Sequence, residues 1–256
     1  MRYLLALVAV ATAYAQLGPA PAKPKPARNA KEAAPVDFTG YWVSVITEDW
    51  RWRMVTPAKG DFASIPLTAA GRAAGNAWDP AKDEAAGEQC RSYGAPALLR
   101  IPGRLHITWA DDNTLQIDAD QGTQARLLHF GGKPPQGGAP SWQGYSVAQW
   151  EPPVRGSGSP QQGLGATREG NRGRSLQVVT TELRPGYLRK NGPPYSENAV
   201  LKEFFDLSIE RNGDPWFVVT TIVEDPQNLT EPFVTSTNFK KQKDAAGFSP
   251  SACSSR

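Results

Sequence analysis

Apolar and polar residues alternate along most of the chain, in short runs rich in β-branched and aromatic side chains. Alternation with a period of two places successive side chains on opposite faces of a β-strand. Turn-forming stretches such as Asp111-Asp112-Asn113 and Asn212-Gly213-Asp214 separate neighbouring runs. The runs predict ten strands: Tyr41–Thr47, Trp50–Val55, Leu105–Trp109, Thr114–Asp118, Ala125–Phe130, Tyr145–Glu151, Leu176–Leu183, Asn198–Ile209, Trp216–Glu224 and Phe233–Phe239.

One stretch between the second and third predicted strands has a helical pattern. Thr68 can cap an Ala-rich turn, and Asp79-Pro80 can start a second turn that Gly87 ends. Because no other helix alternates with the strands, the order predicts a mainly β protein folded as an antiparallel barrel, with a β-sandwich as the alternative. We expect the helical segment, residues 68–87, to cover an open end of the barrel.

The N-terminus predicts export. A positive charge at Arg2, a short apolar run over Tyr3–Thr12 and the cleavage site Ala13-Tyr14-Ala15 are typical of a cleavable signal peptide, which we place at residues 1–15. The apolar run is too short for a stable membrane anchor. A periplasmic or secreted location follows.

Composition divides the rest of the chain. Pro, Ala and Lys dominate residues 16–36, which favours a flexible leader, and residues 37–256 are enough for one β-rich domain. Within that domain, residues 152–174 form a long Gly-rich loop, interpreted as a lid over the barrel mouth or as a disordered insertion. No later stretch approaches the roughly 20 apolar residues of a transmembrane helix.

The chain has two cysteines, Cys90 and Cys253. In an oxidising compartment two cysteines favour one disulfide, with two unpaired thiols as the alternative. The bond would close a long loop, which the chain-entropy treatment values at about 4 to 5 kcal/mol. So few cysteines without a C-x-x-C pair, and aspartates without the spacing of a calcium loop, predict no metal site.

Charge and motifs exclude several function classes. The 28 lysines and arginines against 25 aspartates and glutamates do not form the electrostatic footprint of a nucleic-acid-binding protein. No phosphate-binding glycine loop of either common type occurs, so we expect no nucleotide cofactor. The nucleophile motif G-x-S-x-G is also absent from the sequence.

One hairpin contains a candidate acid/base group. In the register that puts Trp109, Ile107, Leu115 and Ile117 on one face, His106 stands opposite Asp118 on the other face. A carboxylate beside an imidazole orients it and raises its pKa, as general acid/base catalysis requires. If that face lines a cavity, His106 and Asp118 are catalytic candidates.

Arg126 is a third catalytic candidate, although the Gln121-Gly122 turn permits more than one register for its strand. If the His106 face points to solvent, the pair with Asp118 is a cross-strand ion pair worth at most about 1 kcal/mol.

The segment Trp50-Arg51-Trp52-Arg53 alternates strictly between aromatic and basic side chains. As a strand it would place Trp50 and Trp52 on one face, as a stacking wall for an aromatic ligand that Trp109 extends. Arg51 and Arg53 on the other face would hold a carboxylate. The alternative is a core-facing aromatic strand with a solvated outer side.

The first strand begins with Gly40-Tyr41-Trp42, a G-x-W motif within Asp37-Phe38-Thr39-Gly40-Tyr41-Trp42. This motif resembles the opening motif of lipocalins and related calycin barrels. The stretch from Pro66 through Cys90 to Phe130, and the run from Val223 to Phe233, are similar to exported bacterial lipocalin-like proteins of unassigned activity. The resemblance implies a calycin-like barrel with an apolar or amphipathic ligand and with Trp42 at the closed end, and it implies no reaction.

Three hypotheses on function remain. The first is an exported module that binds a small apolar or aromatic molecule in a barrel cavity. The second is a cofactor-independent lyase, isomerase or hydrolase that uses His106 with Asp118. The third is an envelope protein recognised through its surface strands, for which an exposed apolar patch would be the sign.

Overall fold

The computed structural model describes residues 29–134, 138–151 and 175–255. The predicted signal peptide, residues 16–28 of the predicted leader and the Gly-rich loop at 152–174 lie outside the described residues. Within them, no helix is long and apolar enough to cross a membrane.

The fold is a closed barrel of nine strands with a separate two-stranded sheet. The barrel strands match nine of the ten predicted strands, so the mainly β barrel is confirmed and the sandwich alternative is wrong. In chain order the strands are β1 (Gly40–Val45), β2 (Arg104–Asp111), β3 (Thr114–Ala119), β4 (Gln124–Phe130), β5 (Tyr145–Trp150), β6 (Leu176–Thr181), β7 (Gly186–Tyr187), β8 (Pro194–Tyr195), β9 (Val200–Ile209), β10 (Pro215–Glu224) and β11 (Phe233–Lys241). The order around the barrel is β1-β11-β10-β9-β6-β5-β4-β3-β2, and β7 pairs only with β8.

One neighbouring pair in the barrel, β4 and β5, is parallel, whereas the other pairs are antiparallel. A closed ring with an odd number of strands cannot alternate in direction all the way round. The antiparallel prediction therefore holds everywhere except at the one pair where closure requires a parallel neighbour.

Five short α-helices and the 3-10 helix Arg91–Tyr93 complete the described structure, and the α-helices are α1 (Ala30–Ala33), α2 (Trp50–Arg53), α3 (Ala69–Asn76), α4 (Pro80–Ala85) and α5 (Ala95–Leu98). The predicted helical segment contains α3 and α4 with the predicted caps. Thr68 Oγ1 accepts from the Gly71 amide at 3.0 Å, and Asp79 accepts from the Ala81 amide at 3.1 Å. Gly87, in the left-handed conformation with φ +70°, follows the second helix.

The predicted strand at Trp50–Val55 is wrong, because this segment forms α2 and a turn. Asp49 adopts a left-handed conformation with φ 52° and so ends the extended path of β1. The barrel also pairs β1 with β2 on one side and with β11 on the other, which leaves no edge for another strand. A segment of alternating side chains does not form a β-strand when no neighbouring strand is free to pair with it.

Side chains fill the interior of the barrel. Alternate residues of the strands supply a buried apolar cluster, in which Trp42, Ile117 and Phe217 are almost completely inaccessible to solvent. Leu98 and Leu99 enter the same cluster from α5 and the residue after it. The predicted ligand cavity in the barrel is therefore occupied by core side chains.

Residues 29–38 close one end of the barrel, which we call the strap end. Phe38 packs edge-on against Phe217, and its backbone carbonyl accepts the Trp42 indole N–H at 2.8 Å. The Ala30 carbonyl accepts from Trp150 Nε1 at 3.2 Å. The part of the predicted flexible leader from 29 to 36 is thus held against the barrel, because its backbone groups find partners there.

The opposite end, which we call the covered end, lies under a second buried cluster. This cluster joins the ends of β9, β10 and β11 to residues 62–67 and to the segment around β7 and β8. The helix α3 packs against it through glycine, since a Cβ on Gly75 would lie 2.7 Å from the ring of Phe62. The expectation that the helical segment covers a barrel end is met by this outer position.

The disulfide between Cys90 and Cys253 is confirmed. It holds the C-terminal residues beside the turn between β3 and β4, where Ser251 pairs with Gln121. The bond thus fixes the C-terminal segment at the covered end.

Candidate functional site

The predicted hairpin register around His106 is confirmed. His106 pairs with Asp118, Ile107 with Ile117, and Trp109 with Leu115. The apolar members of these pairs point into the barrel, so His106 and Asp118 lie on its outer face.

Both groups of this pair contact neighbouring side chains on the outer face of the barrel. The His106 ring stacks on Tyr41 at a centroid distance of 4.2 Å, and Phe248 approaches its edge at 6.2 Å. Asp118 accepts a hydrogen bond from Gln116 Nε2 at 2.7 Å. Among the described residues, no hydrogen bond joins His106 to Asp118.

Arg126 lies away from this pair, inside the barrel. It pairs with Ile117 across β3 and β4 and therefore points inward, where it forms a fully buried ion pair with Glu203. Ser146 and Thr180 accept further hydrogen bonds from its guanidinium, at 3.2 and 2.8 Å. The structure does not bring Arg126 together with His106, and its hydrogen-bonding capacity is used by the core.

The predicted aromatic wall is dispersed. Trp109 lies near the strap end, 5.5 Å from the ring of Phe130. Trp50 is 67% exposed, and the Arg51 side chain is 68% exposed and pairs with Asp61. Because α2 turns where a strand would alternate, only Trp52 and Arg53 of the predicted set reach a common cavity.

That cavity is a cleft of about 240 Å³ at the covered end, which we call the arginine cleft. The volume lies just below the roughly 300 to 1,000 Å³ of sites for drug-sized molecules, so the cleft suits a small ligand. Its wall combines apolar and basic side chains: Trp52, Arg53, Met54, Val55, Thr56, Ser92, Ala97, Arg100, Ile101, Pro102, Gln121, Leu188, Arg189 and Lys190.

Three separate segments position the arginines of the cleft. The helix α2 presents Arg53, the chain after α5 presents Arg100, and the connection between β7 and β8 presents Arg189. All three residues are buried, with exposed fractions of 8%, 7% and 7% in that order. Buried arginines are uncommon unless they are paired, so each partner matters.

Two of these arginines have carboxylate partners. Arg53 pairs with Glu48 and donates from Nε to the Arg100 carbonyl at 2.9 Å. Arg100 donates from Nη2 to Asp49 at 2.6 Å. The left-handed turn at Asp49 places that carboxylate next to the start of α2, which explains how one short segment serves both arginines.

Arg189 has only neutral acceptors. Its Nη2 donates to the Ala63 carbonyl at 3.2 Å and to Ser64 Oγ at 3.3 Å. Its guanidinium lies 5.2 Å from the centroid of the Trp52 ring, which Arg51 also approaches at 5.5 Å. The Trp52 ring therefore supports arginines by cation–π contact, where the sequence predicted a surface for stacking a ligand.

Each buried arginine retains a nitrogen without a partner among the described residues. These atoms are Nη2 of Arg53, Nη1 of Arg100 and Nη1 of Arg189. An unsatisfied buried donor costs about 1 to 3 kcal/mol, and more when the group is charged. The three side chains with these buried donors line one cleft, where an acceptor that reached the nitrogens would be stabilising.

Burial also acts on the protonation of these groups. Desolvation, reinforced for Arg189 by the positive charge of Arg100, lowers the pKa values of Arg53 and Arg189 to about 10. For Arg53 the nearby Glu48 carboxylate opposes the shift. Both guanidinium groups still carry their charge at neutral pH, so the cleft is a positively charged site.

The part of the chain that the structure describes contains no metal site. Among the described residues, no three histidine, cysteine, aspartate or glutamate side chains converge to hold a metal ion. No family model, curated protein or solved structure matches the chain.

The sequence predicts Trp52 and Arg53 as binding residues but misses Arg100 and Arg189. Arg100 follows Ala97-Leu98-Leu99 and precedes Ile101-Pro102, so a charge interrupts an apolar run. That interruption is a signal for a buried arginine. Arg189 lies between short strands with no periodic pattern, and its position depends on how the chain folds over the covered end.

Proposed function

We propose that the protein is an exported binding module that takes a small organic ligand into the arginine cleft. The single observation that carries the proposal is the cleft itself, a cavity at the covered end with an apolar wall and three buried arginines. Pockets with an apolar lining and a few convergent polar groups are typical of ligand sites.

The barrel serves in this proposal as a rigid support and not as a container. Its interior is packed with side chains, whereas the cleft is built on the loops and short helices over one end. Binding residues commonly lie on connecting segments that a rigid scaffold positions. The G-x-W motif, whose Trp42 is buried in the barrel, supports a calycin-like class.

The export part of the proposal has support of its own. The disulfide between Cys90 and Cys253 suits an oxidising compartment. The acid/base alternative gains no support, because it requires His106 in a cavity and the ring packs on the outer face of the barrel.

Protein-observed NMR tests the site. The mature chain, labelled with ¹⁵N, is titrated with 2-naphthoate and, separately, with the uncharged 2-naphthamide, which share one aromatic body. We expect saturable shifts for at least one of them, concentrated at residues 52–56, 97–102 and 188–190. Shifts concentrated at barrel-interior residues or around Trp109, or no saturable shift with either compound, would overturn the proposal.

A further inference from the structure

We infer that the arginine cleft selects ligands with an oxyanion group, a carboxylate or a phosphate, which Arg189 binds together with Arg53 and Arg100. The inference rests on the proposed function and adds the chemical class of the ligand. Guanidinium groups bind these anions through paired, charge-assisted hydrogen bonds.

The first support is the charge balance of the wall. Four cationic side chains line the cleft, and the carboxylates paired with them are Glu48 on Arg53 and Asp49 on Arg100. Neither Arg189 nor Lys190 forms an ion pair among the described residues. Asp49 and Asp61 act on Arg189 from a distance, but their carboxylates pair with Arg100 and Arg51 respectively. Two positive charges of the cleft thus lack a paired carboxylate.

The second support is the unused donor capacity of the same side chains. Arg53, Arg100 and Arg189 are each more than nine-tenths buried, and each has a nitrogen without a partner. Burying a charged donor is unfavourable unless it is paired and hydrogen-bonded. An oxyanion supplies several acceptor positions and the compensating charge at once, which a neutral carbonyl does not.

A purely structural role for Arg189 would predict something different. Its bonds to the Ala63 carbonyl and Ser64 Oγ hold the segment before α3 against the covered end. If that were its whole role, the cleft would bind charged and uncharged ligands alike. The preference for an anion is therefore the property that separates the two roles.

The apolar side chains of the cleft wall determine the chemistry that the rest of the ligand needs. Ile101 and Leu188 line the cleft, and the exposed side chains of Met54 and Val55 extend the apolar surface at α2 and the turn that follows it. An apolar body packed on these side chains would gain hydrophobic stabilisation while its anionic group reaches the arginines. The expected ligand is a small amphipathic organic anion.

Calorimetric titration of the mature protein tests the inference. 2-Naphthoate and 2-naphthyl phosphate are compared with 2-naphthamide, and inorganic phosphate is titrated alone. We expect at least one naphthyl anion to bind about tenfold or more tightly than the amide. The phosphate arm distinguishes a carboxylate site from a phosphate site, and inorganic phosphate shows how much the anion contributes without the apolar body.

Variants locate the preference. We expect Arg189→Gln to reduce the preference for the anion to about threefold or less, with little change in the affinity for the amide. Arg189→Lys keeps the positive charge but loses the planar guanidinium with its paired donors, so it should retain part of the preference for the anion. Arg211→Gln is the matched control, because Arg211 is an exposed arginine in the loop between β9 and β10 and does not line the cleft.

Each outcome is decisive. Equal affinity of the wild-type protein for the amide and both anions, with shifts in the cleft, would refute the inference and leave the proposed function standing. A preference that survives in a folded Arg189→Gln protein would refute the role of Arg189. If Arg189→Gln does not fold, Lys190→Gln and the wild-type comparison still decide for or against an anion. Absence of binding by every compound refutes the proposed function and the inference with it.

Discussion

At the residue scale, the arginines of the cleft show how burial and partners determine what a side chain can do. Arg126 is buried even more deeply than Arg189, but Glu203, Ser146 and Thr180 satisfy its guanidinium. Arg189 has no carboxylate of its own among the described residues. The first arginine therefore belongs to the core, whereas the second is the one that we propose as an anion-binding residue.

The lowered pKa values predict how binding depends on pH. Burial brings the pKa values of Arg53 and Arg189 to about 10, so both groups are charged at neutral pH and lose their protons as the pH rises through that value. We expect the affinity for 2-naphthoate to be constant from about pH 6 to 8.5 and to fall above about pH 10. The affinity for the amide serves as the control.

The direction in which pH changes the anion affinity follows from the linkage between anion binding and protonation of the arginines. A bound anion favours the charged guanidinium and raises its pKa, so the complex takes up protons on formation at high pH. Titration in buffers of different ionisation enthalpy measures this uptake. An anion affinity that rises above pH 10, or that falls in parallel with the amide affinity, would contradict the assignment.

The buried pair of Arg126 and Glu203 gives a prediction about stability. Glu203→Gln leaves a guanidinium without its counter-charge inside the barrel, and we expect the free energy of unfolding to drop by about 3 to 5 kcal/mol. Replacing both partners by apolar residues, as in Arg126→Met with Glu203→Leu, should recover most of the loss. Denaturant unfolding measures both effects.

The matched control for that experiment is Glu224→Gln. Glu224 forms a half-exposed ion pair with Lys202, so its loss should cost at most about 1 kcal/mol. Equal losses for Glu203→Gln and Glu224→Gln would mean that the interior pair is hydrated and that the barrel is less tightly packed than described.

At the element scale, the strands were predictable because their pattern is local. The pairing of β2 with β3 over His106–Trp109 was predicted, since a shift by one position would turn Ile107 and Ile117 outward. The α2 segment was not, because alternation at Trp50–Arg53 is equally compatible with one exposed helical turn. The closure of the barrel decides between strand and helix here, because it leaves β1 no free edge with which this segment could pair.

The candidate site was only half predictable for a related reason. Trp52 and Arg53 are neighbours in sequence and were proposed together, whereas Arg100 and Arg189 come from segments that meet only in the folded chain. Arg126 was assigned to the wrong group because the register of β4 was open and its face of the sheet was unknown. A periodic pattern in the sequence cannot predict where a loop residue lies relative to distant segments of the chain.

The disulfide gives a prediction for one element, the C-terminal segment. Its cysteines are 163 positions apart, and a loop of that length corresponds to about 5 kcal/mol in the chain-entropy treatment. We expect the Cys90→Ser/Cys253→Ser protein to lose about this much unfolding free energy. Wild-type protein unfolded under reducing conditions should have the same unfolding free energy as the variant. An unchanged stability in both cases would contradict the prediction that the disulfide stabilises the fold.

At the scale of the whole molecule, the barrel has two closed ends of different character. The strap end is sealed by Phe38 and by backbone contacts of α1. The covered end combines a buried apolar cluster with the arginine cleft beside it. The described residues thus form a scaffold with a packed interior, and its covered end contains the positively charged recess that we propose as the ligand site.

The most direct test of this account is a crystal structure of the mature protein with bound 2-naphthoate. We predict the carboxylate within about 3 Å of the Arg189 guanidinium, with the naphthyl ring against Ile101 and Leu188. A ring found inside the barrel or beside Trp109, or a carboxylate that points to solvent away from the three arginines, would contradict the central claim.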